Sequence, residues 1–129
     1  MTILIVDDDT MARKLIEKIL VREGYRVLQA DNGRAALELL EQTPVNIIVS
    51  DIRMPVMNGY DLLKAVKERF PSIPVILITA FGDTYSVRDG LVLGADEYIT
   101  KPFKSHEIAL VVERTYWRLL SGKPVPDVT

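Results

Sequence analysis

The sequence predicts a single α/β domain in which five short strands alternate with five helices around a parallel sheet. Three observations lead to this prediction. The chain has 129 residues, an ordinary length for one domain. Short apolar runs recur along it, and each is followed by apolar side chains at helical spacing. Strands that alternate with helices pair in parallel through right-handed crossovers, so we expect a doubly wound, three-layer (βα)5 sandwich of strand order 2-1-3-4-5.

Each strand is predicted from a short run of apolar, often β-branched residues. The first run is continuously apolar, which is typical of a strand covered on both faces. The turn sequence Asp31-Asn32-Gly33 ends the second, and Pro74 begins the fourth. The strands are expected at residues 3–6, 25–30, 45–50, 74–78 and 95–100.

The helices are predicted from their caps, their end signals and their apolar spacing. Asp9 or Thr10 can cap the first, whose apolar positions are Met11, Leu15, Ile16, Ile19 and Leu20. Gly24 ends this helix, and Pro44 and Pro71 end the second and third. The fourth helix, over residues 83–93, contains Gly90 and is expected to be the least rigid. Ser105 caps the last one.

The composition excludes several classes of protein. Hydrophobic residues make up 48% of the chain, charged residues 26%, and the net charge is −2. We therefore expect no direct binding to nucleic acid and none to a membrane surface. There is no cysteine, which excludes disulfides and thiolate metal sites. The sequence does not begin like a signal peptide, and no apolar run reaches the ~18 residues of a membrane span, so we expect a cytoplasmic protein.

Polar side chains follow four of the predicted strands. Asp7 and Asp8 come after the first, Asp51 after the third, Thr79 after the fourth and Lys101 after the fifth. In a sheet of this order, ligands bind outside the carboxyl ends of the strands, at the switch point between strands 1 and 3. The acids follow those two strands. We therefore expect all five side chains to meet at one edge of the sheet.

The chemistry of this set indicates phosphoryl transfer. Three neighbouring carboxylates repel one another, and a divalent cation relieves the repulsion. Oxygen ligands without histidine or cysteine suit Mg²⁺ or Mn²⁺. Lys101 adds a positive charge and Thr79 a hydroxyl donor, while an aspartate can itself be the nucleophile. Each residue alone is more often a turn, a cap or a surface side chain; their joint occurrence at successive strand ends favours a site.

Four motifs of this chain together resemble the receiver domain of two-component response regulators. They are Ile3-Leu4-Ile5-Val6-Asp7-Asp8-Asp9, Ser50-Asp51-Ile52-Arg53-Met54-Pro55-Val56-Met57-Asn58-Gly59, Ile78-Thr79-Ala80 and Gly94-Ala95-Asp96-Glu97-Tyr98-Ile99-Thr100-Lys101-Pro102-Phe103. The resemblance implies a flavodoxin-like, chemotaxis-receiver-like fold and a receiver domain over residues 1–120. Residues 121–129 contain two prolines and one glycine and are expected to be a disordered tail or a linker stub.

The resemblance also implies roles for individual residues. Asp51 would be the phosphoacceptor, taking a phosphoryl group from the phosphohistidine of a sensor histidine kinase or a phosphotransfer protein. The ligands of Mg²⁺, for which Mn²⁺ is expected to substitute, would be Asp7, Asp8, Asp51 and the backbone carbonyl of Arg53. Thr79, the Ala80 amide and Lys101 would bind the phosphoryl group. Thr79 and Tyr98 would form the switch, and the bond between Lys101 and Pro102 would be cis.

A receiver would be a signalling switch and not a stand-alone enzyme, catalysing only its own phosphotransfer and a slow autodephosphorylation. Phosphorylation would change the surface formed by the fourth helix, the fifth strand and the last helix, and so control an output domain or a partner. A homodimer through the last helix is a further expectation. The core set predicted for this helix is Ile108, Val111, Val112, Leu119 and Leu120, and the apolar positions at helical spacing beside it are Ala109, Val112, Tyr116 and Leu120. Partial burial of these residues is the alternative explanation.

Other functions remain open at this point. Asp7-Asp8-Asp9-Thr10 also fits the strand-end motif of haloacid-dehalogenase-type phosphatases, with Asp7 as the nucleophile. That family needs a further acidic metal motif after the lysine, and it leaves Asp51 unexplained. A pseudo-receiver that binds partners without phosphorylation is a second alternative. A flavin-binding module is a third, but no phosphate-binding loop follows Val6. Whether the receiver is free-standing or precedes an output domain stays open.

Overall fold

The computed structural model describes residues 1–80 and 94–121 and confirms the doubly wound fold. The sheet has five parallel strands in the predicted order β2-β1-β3-β4-β5. The predicted fourth helix (83–93) and residues 122–129 of the predicted tail lie outside the described residues. Among the residues that are described, no helix combines the length and the apolar character that a membrane span requires.

The strands begin and end within two residues of their predicted limits. Their bounds are β1 (Thr2–Val6), β2 (Arg26–Ala30), β3 (Ile47–Asp51), β4 (Val75–Ala80) and β5 (Glu97–Lys101). Val6 pairs with Ser50 across β1 and β3. Ala80 pairs with Lys101 across β4 and β5. The register therefore ends these strands almost level with one another, which brings their following residues to one edge.

Four helices are described: α1 (Thr10–Arg22), α2 (Gly33–Gln42), α3 (Gly59–Arg69) and α4 (Ser105–Ser121). Asp9 is the cap of α1, since its side chain accepts hydrogen bonds from the Met11 and Ala12 amides. Gly24, the predicted end signal of α1, has a φ of +94°, a conformation that glycine adopts without strain. The helix α4 includes Ser121, one residue beyond the predicted limit of the domain.

Apolar clusters cover both faces of the sheet. In β1, Ile3 and Ile5 face α1 and α4, whereas Leu4 and Val6 face α2 and α3. This alternation is what a central strand buried on both faces requires. The predicted three-layer sandwich is thus confirmed.

The buried stripes of two helices are narrower than predicted. The core side of α1 consists of Ile16, Ile19 and Leu20, while Met11 is 77% and Leu15 is 53% exposed. In α4, Val112 is buried, which agrees with its place in the predicted core set and removes it from the candidate partner face. Leu119 and Leu120, also predicted for the core set, are 40% and 60% exposed. The exposed large apolar side chains of α4 are Leu110, Trp117, Leu119 and Leu120.

Candidate functional site

The three predicted acids meet at the carboxyl edge of the sheet. Asp7 directly follows β1, Asp8 comes next, and Asp51 is the last residue of the neighbouring β3. One carboxylate oxygen of each lies within 4.8 Å of the other two. The cluster forms because β1 and β3 are adjacent and in register, so consecutive residues emerge side by side.

The three carboxylates differ in their surroundings. Asp7 is buried, Asp51 is half-buried and Asp8 is exposed. Burial raises the pKa of Asp7 to about 6, and the hydrogen bond from the Asp9 amide opposes this. Burial also raises the pKa of Asp51, against the attraction of the Lys101 ammonium. In both groups, burial disfavours the negative charge more than the neighbouring backbone hydrogen bond and the Lys101 ammonium favour it.

The cluster fits a hard divalent cation. One carboxylate oxygen of Asp7 accepts the Asp9 amide at 2.9 Å. The other, Oδ2, is buried and accepts no hydrogen bond from the described residues. Its charged neighbours are Asp8, Asp51 and the Lys101 Nζ, which is 3.9 Å away. An oxygen-only donor set with one unsatisfied buried oxygen suits Mg²⁺ or Mn²⁺.

A surface cavity of about 370 Å³ opens beside the acids. Its lining residues are Asp8, Ile52, Arg53, Met54, Pro55 and Asn58. Arg53, whose carbonyl is a predicted ligand, thus borders the same space as Asp8. The cavity leaves room next to the carboxylates for a small anionic group.

The predicted phosphate-binding residues stand at the ends of β4 and β5. Lys101 Nζ lies 3.6 Å from Asp51 Oδ1. Thr79 is buried and follows Ile78, the residue that pairs with Asp51. Ala80 pairs with Lys101. The bond between Lys101 and Pro102 is cis, as predicted.

Tyr98 lies further from the edge than the other predicted site residues. It is in β5, where it pairs with Leu77, and it is half-buried against the cluster on the α2–α3 side. It therefore belongs to the core layer beneath Thr79 and makes no part of the acid cluster.

The structure adds two polar residues that the sequence did not single out. Arg13 Nη1 donates to the backbone carbonyl of Asp7 at 2.6 Å. The fully buried Ser50 hydroxyl donates to the backbone carbonyl of Asp51 at 2.9 Å. A long side chain early in a helix leans toward the helix N-terminus, which is the sequence signal that could have indicated Arg13.

The backbone at the start of α3 lies very close to the backbone at the end of β3. The Gly59 amide donates to the Ile52 carbonyl at 2.7 Å. A Cβ atom on Gly59 would stand only 2.4 Å from the Asp51 carbonyl oxygen. Glycine at this position therefore lets α3 begin directly against the end of β3.

Comparisons with known proteins agree on one family. A family model described as the response regulator receiver domain matches residues 3–113. The transcriptional regulatory protein CpxR of Escherichia coli (strain K12) is 39% identical over 119 residues, covering 89% of this chain and 50% of that protein. The DNA-binding transcriptional regulator NtrC of the same organism is 39% identical over 110 residues, covering 85% of this chain and 24% of that protein.

Solved structures give the same result. The chemotaxis response regulator CheY4 of Vibrio cholerae has a TM-score of 0.82 and 29% identity, covering 88% of this chain and 97% of that one. The receiver domain of Francisella response regulator 1452 has a TM-score of 0.84 and 32% identity, covering 91% and 97%. The chain therefore corresponds to nearly the whole of these structures, but to half or less of CpxR and NtrC.

Proposed function

This chain belongs to the response regulator receiver domain family, whose members act as phosphorylation-dependent signalling switches, and we propose that Asp51 is its phosphoacceptor. The observation that carries the proposal is the position of the Asp51 carboxylate. It lies within 4.8 Å of the Asp7 and Asp8 carboxylates and 3.6 Å from the Lys101 ammonium. Asp51 thus combines a nucleophilic oxygen with the charges that phosphoryl transfer requires.

The transfer takes place between a phosphohistidine and Asp51. A carboxylate oxygen of Asp51 attacks the phosphorus, the P–N bond breaks as the new P–O bond forms, and the imidazole keeps the electron pair and takes a proton from solvent. Lys101 pairs with a phosphoryl oxygen, and the Thr79 hydroxyl and the Ala80 amide donate to the others. Mg²⁺ or Mn²⁺, held by Asp7, Asp8, Asp51 and the Arg53 carbonyl, would neutralise charge that develops on the phosphoryl oxygens.

Receiver domains are generally not stand-alone enzymes. We extend the proposal to two reactions of this chain on itself, its own phosphotransfer and a slow autodephosphorylation. Movement of Thr79 toward the phosphoryl group, followed by Tyr98, would convert phosphorylation into a change of surface. Tyr98 supports this role by its position in β5, where it pairs with Leu77, two residues before Thr79, and packs against the apolar cluster on the α2–α3 side.

The phosphodonor would be a sensor histidine kinase or a phosphotransfer protein acting in the cytoplasm. A protein donor must reach Asp51 from the carboxyl edge of the sheet. At that edge α1 exposes Met11 and Leu15 beside an apolar cavity of about 520 Å³. The cavity is lined by Ala12, Leu15, Ile16, Lys101, Pro102 and Phe103. Apolar surface that reaches Lys101, whose Nζ lies 3.6 Å from Asp51 Oδ1, supports docking of a protein donor there.

Output would come from a separate domain or a partner. CpxR and NtrC are named as regulators of transcription, and this chain matches half and a quarter of their lengths. We propose that residues 1–120 form the receiver domain and that residues 121–129 belong to a tail or linker. We propose that the receiver itself, in a chain with a net charge of −2, does not bind nucleic acid directly.

A homodimer through α4 is the second partner that we propose. Glu97 Oε1 accepts a hydrogen bond from Arg114 Nε and forms an ion pair with Arg118 Nη1, both at 2.8 Å. Both arginines of α4 are therefore paired with an acid of the same chain. Leu110 and Trp117 are left 57% and 54% exposed, and they supply an apolar face for a second copy.

Phosphorylation with a small donor tests the central proposal. The protein is incubated with Mg²⁺ and acetyl phosphate, and the labelled aspartate is mapped by mass spectrometry. We expect label on Asp51, none in D51N, and little without Mg²⁺. Label on Asp7 would instead favour the phosphatase mechanism, which the burial of Asp7 argues against. A folded protein without label would indicate a pseudo-receiver.

A further inference from the structure

We infer that Arg13 is a positioning residue for the cation site, acting through the peptide unit that joins Asp7 to Asp8. The inference rests on the proposed function, because it takes these acids as ligands of Mg²⁺. Arg13 lies early in α1, where its backbone amide donates to the carbonyl of the cap, Asp9, at 3.0 Å. Its side chain turns back toward the sheet and donates to the Asp7 carbonyl at 2.6 Å.

The guanidinium is held by two further groups. Nε donates to the Gln29 side-chain oxygen at 3.2 Å, and Nη2 lies 3.4 Å from the Thr10 hydroxyl. The Gln29 amide in turn donates to Glu17 on α1. The Arg13 side chain is therefore fixed between α1 and β2. Its planar guanidinium group is oriented so that one N–H group points at the Asp7 carbonyl.

The bond to this carbonyl orients two acids at once. The carbonyl of Asp7 belongs to the same planar peptide unit as the amide of Asp8, so fixing its oxygen fixes the plane from which both side chains leave. The Asp7 amide is also bound, to the Ala30 carbonyl at 3.2 Å. With Arg13 in place, the segment that presents two of the three carboxylates is held on both sides.

A positioning role and a purely electrostatic role predict opposite results. The guanidinium is positive and lies close to a site for a cation, so through its charge alone it opposes cation binding. Removing it would then tighten binding. If Arg13 positions the acids, its removal loosens the Asp7–Asp8 peptide and weakens binding, as loss of groups that orient metal ligands usually does.

The experiment measures Mn²⁺ binding directly, through the electron paramagnetic resonance signal of the free ion. The intact chain is compared with R13M, which keeps the length of the stem without its donors, and with R13K, which keeps the charge and a donor group but not the planar fork of the guanidinium. R22M is the matched control, because Arg22 is an exposed arginine in the last turn of the same helix. Urea unfolding of each variant monitors global stability.

We expect R13M to raise the dissociation constant of Mn²⁺ roughly tenfold, R13K to raise it less, and R22M to leave it unchanged. Binding to R13M that equals or exceeds that of the native chain would overturn the inference. If R13M does not fold, R13K decides: native or tighter affinity overturns the inference, and weaker affinity supports it. Absence of Mn²⁺ binding by the native chain would instead refute the proposed cation site itself.

Discussion

At the scale of single residues, burial and charge act against each other in Asp7. Its side chain is 1% exposed, and burial raises its pKa to about 6. Above that pH the folded protein carries a buried negative charge next to two other acids. A cation held at the proposed site would offset this cost, and in its absence we expect the buried charge to lower the stability of the fold.

Replacing Asp7 with asparagine should therefore stabilise the cation-free protein. At pH 8 in EDTA we expect D7N to raise the free energy of unfolding by about 2 kcal/mol, since each pKa unit corresponds to about 1.4 kcal/mol and the neighbouring Lys101 loses part of its attraction. Addition of Mg²⁺ should stabilise the native chain more than D7N. Urea unfolding measures both effects.

The gain from D7N should depend on pH with a defined sign. The folded state keeps the Asp7 proton up to about pH 6, whereas the unfolded chain releases it near the ordinary value of 3.8. Between these values the folded state binds more protons, so the stability of the native chain falls as pH rises. The difference between D7N and native should grow from pH 4 to 6 and then level off. E38Q, an exposed acid on α2, is the control, and a difference independent of pH would contradict the assignment.

Val56 has a backbone conformation that is unfavourable for a β-branched side chain. It has a φ of +69°, which a β-branched residue rarely adopts, and its side chain is 76% exposed. V56G should raise the free energy of unfolding by about 1 kcal/mol, because glycine adopts this conformation without strain. V56A keeps the Cβ atom and should change stability less. A destabilised V56G in urea unfolding would show that the Val56 side chain has a packing role.

At the scale of secondary structure, the starts of α2 and α3 offer a matched pair. Each has an asparagine cap followed by glycine, Asn32-Gly33 and Asn58-Gly59. A Cβ on Gly33 would meet the Met57 side chain at 2.8 Å, and that side chain can move. A Cβ on Gly59 would meet the Asp51 carbonyl oxygen at 2.4 Å and the Ile52 Cα at 2.8 Å, both of them backbone.

The two alanine variants should therefore differ strongly. G59A should lower the free energy of unfolding by roughly 3 kcal/mol, the upper end for inserting an extra carbon into a packed region. It should also slow phosphorylation by acetyl phosphate, because the end of β3 carries Asp51. G33A should cost less than about 1 kcal/mol and leave the phosphorylation rate unchanged. Equal effects of the two variants would contradict the structural explanation.

The strands and the acids of the site could be predicted from the sequence for the same reason. A polar residue directly after an apolar run marks the end of a strand, and parallel strands end at one edge, so Asp7 and Asp51 could be brought together without coordinates. The face of a helix that meets the sheet is harder to predict. The apolar positions of α1 form a wide stripe, but only the part toward the sheet is buried, which leaves Met11 and Leu15 exposed.

Arg13 and Ser50 escaped prediction because both bind backbone carbonyls. Their partners, the Asp7 and Asp51 carbonyls, carry no sequence signal that would distinguish them from any other peptide group. Side-chain chemistry at strand ends could be read from residue types. The groups that orient those side chains depend on distances that only the folded chain defines.

At the scale of the whole molecule, the two faces of the sheet have different surfaces near the site. On the α1–α4 side, Leu15 and the residues around Pro102 and Phe103 form an apolar cavity that Lys101 also borders. On the α2–α3 side, the cavity beside Asp8 is lined mainly by the segment after β3. A protein donor needs a surface to dock on, whereas a small donor would need only the acids and Lys101 of the proposed site. The two kinds of donor can therefore separate docking from chemistry.

Leu15 provides the test, with Val21 as its control on the same helix. The two side chains are 53% and 54% exposed, but only Leu15 lines the cavity next to Lys101. With a sensor histidine kinase that phosphorylates the native chain, L15S should slow transfer about tenfold, the effect of losing roughly 1.4 kcal/mol of interface contact. The rate with acetyl phosphate should stay within about twofold of native, because no docking is involved. V21S should leave both rates unchanged. If L15S slows both donors equally, Leu15 supports the site itself, and the docking surface for the kinase must lie elsewhere on the molecule.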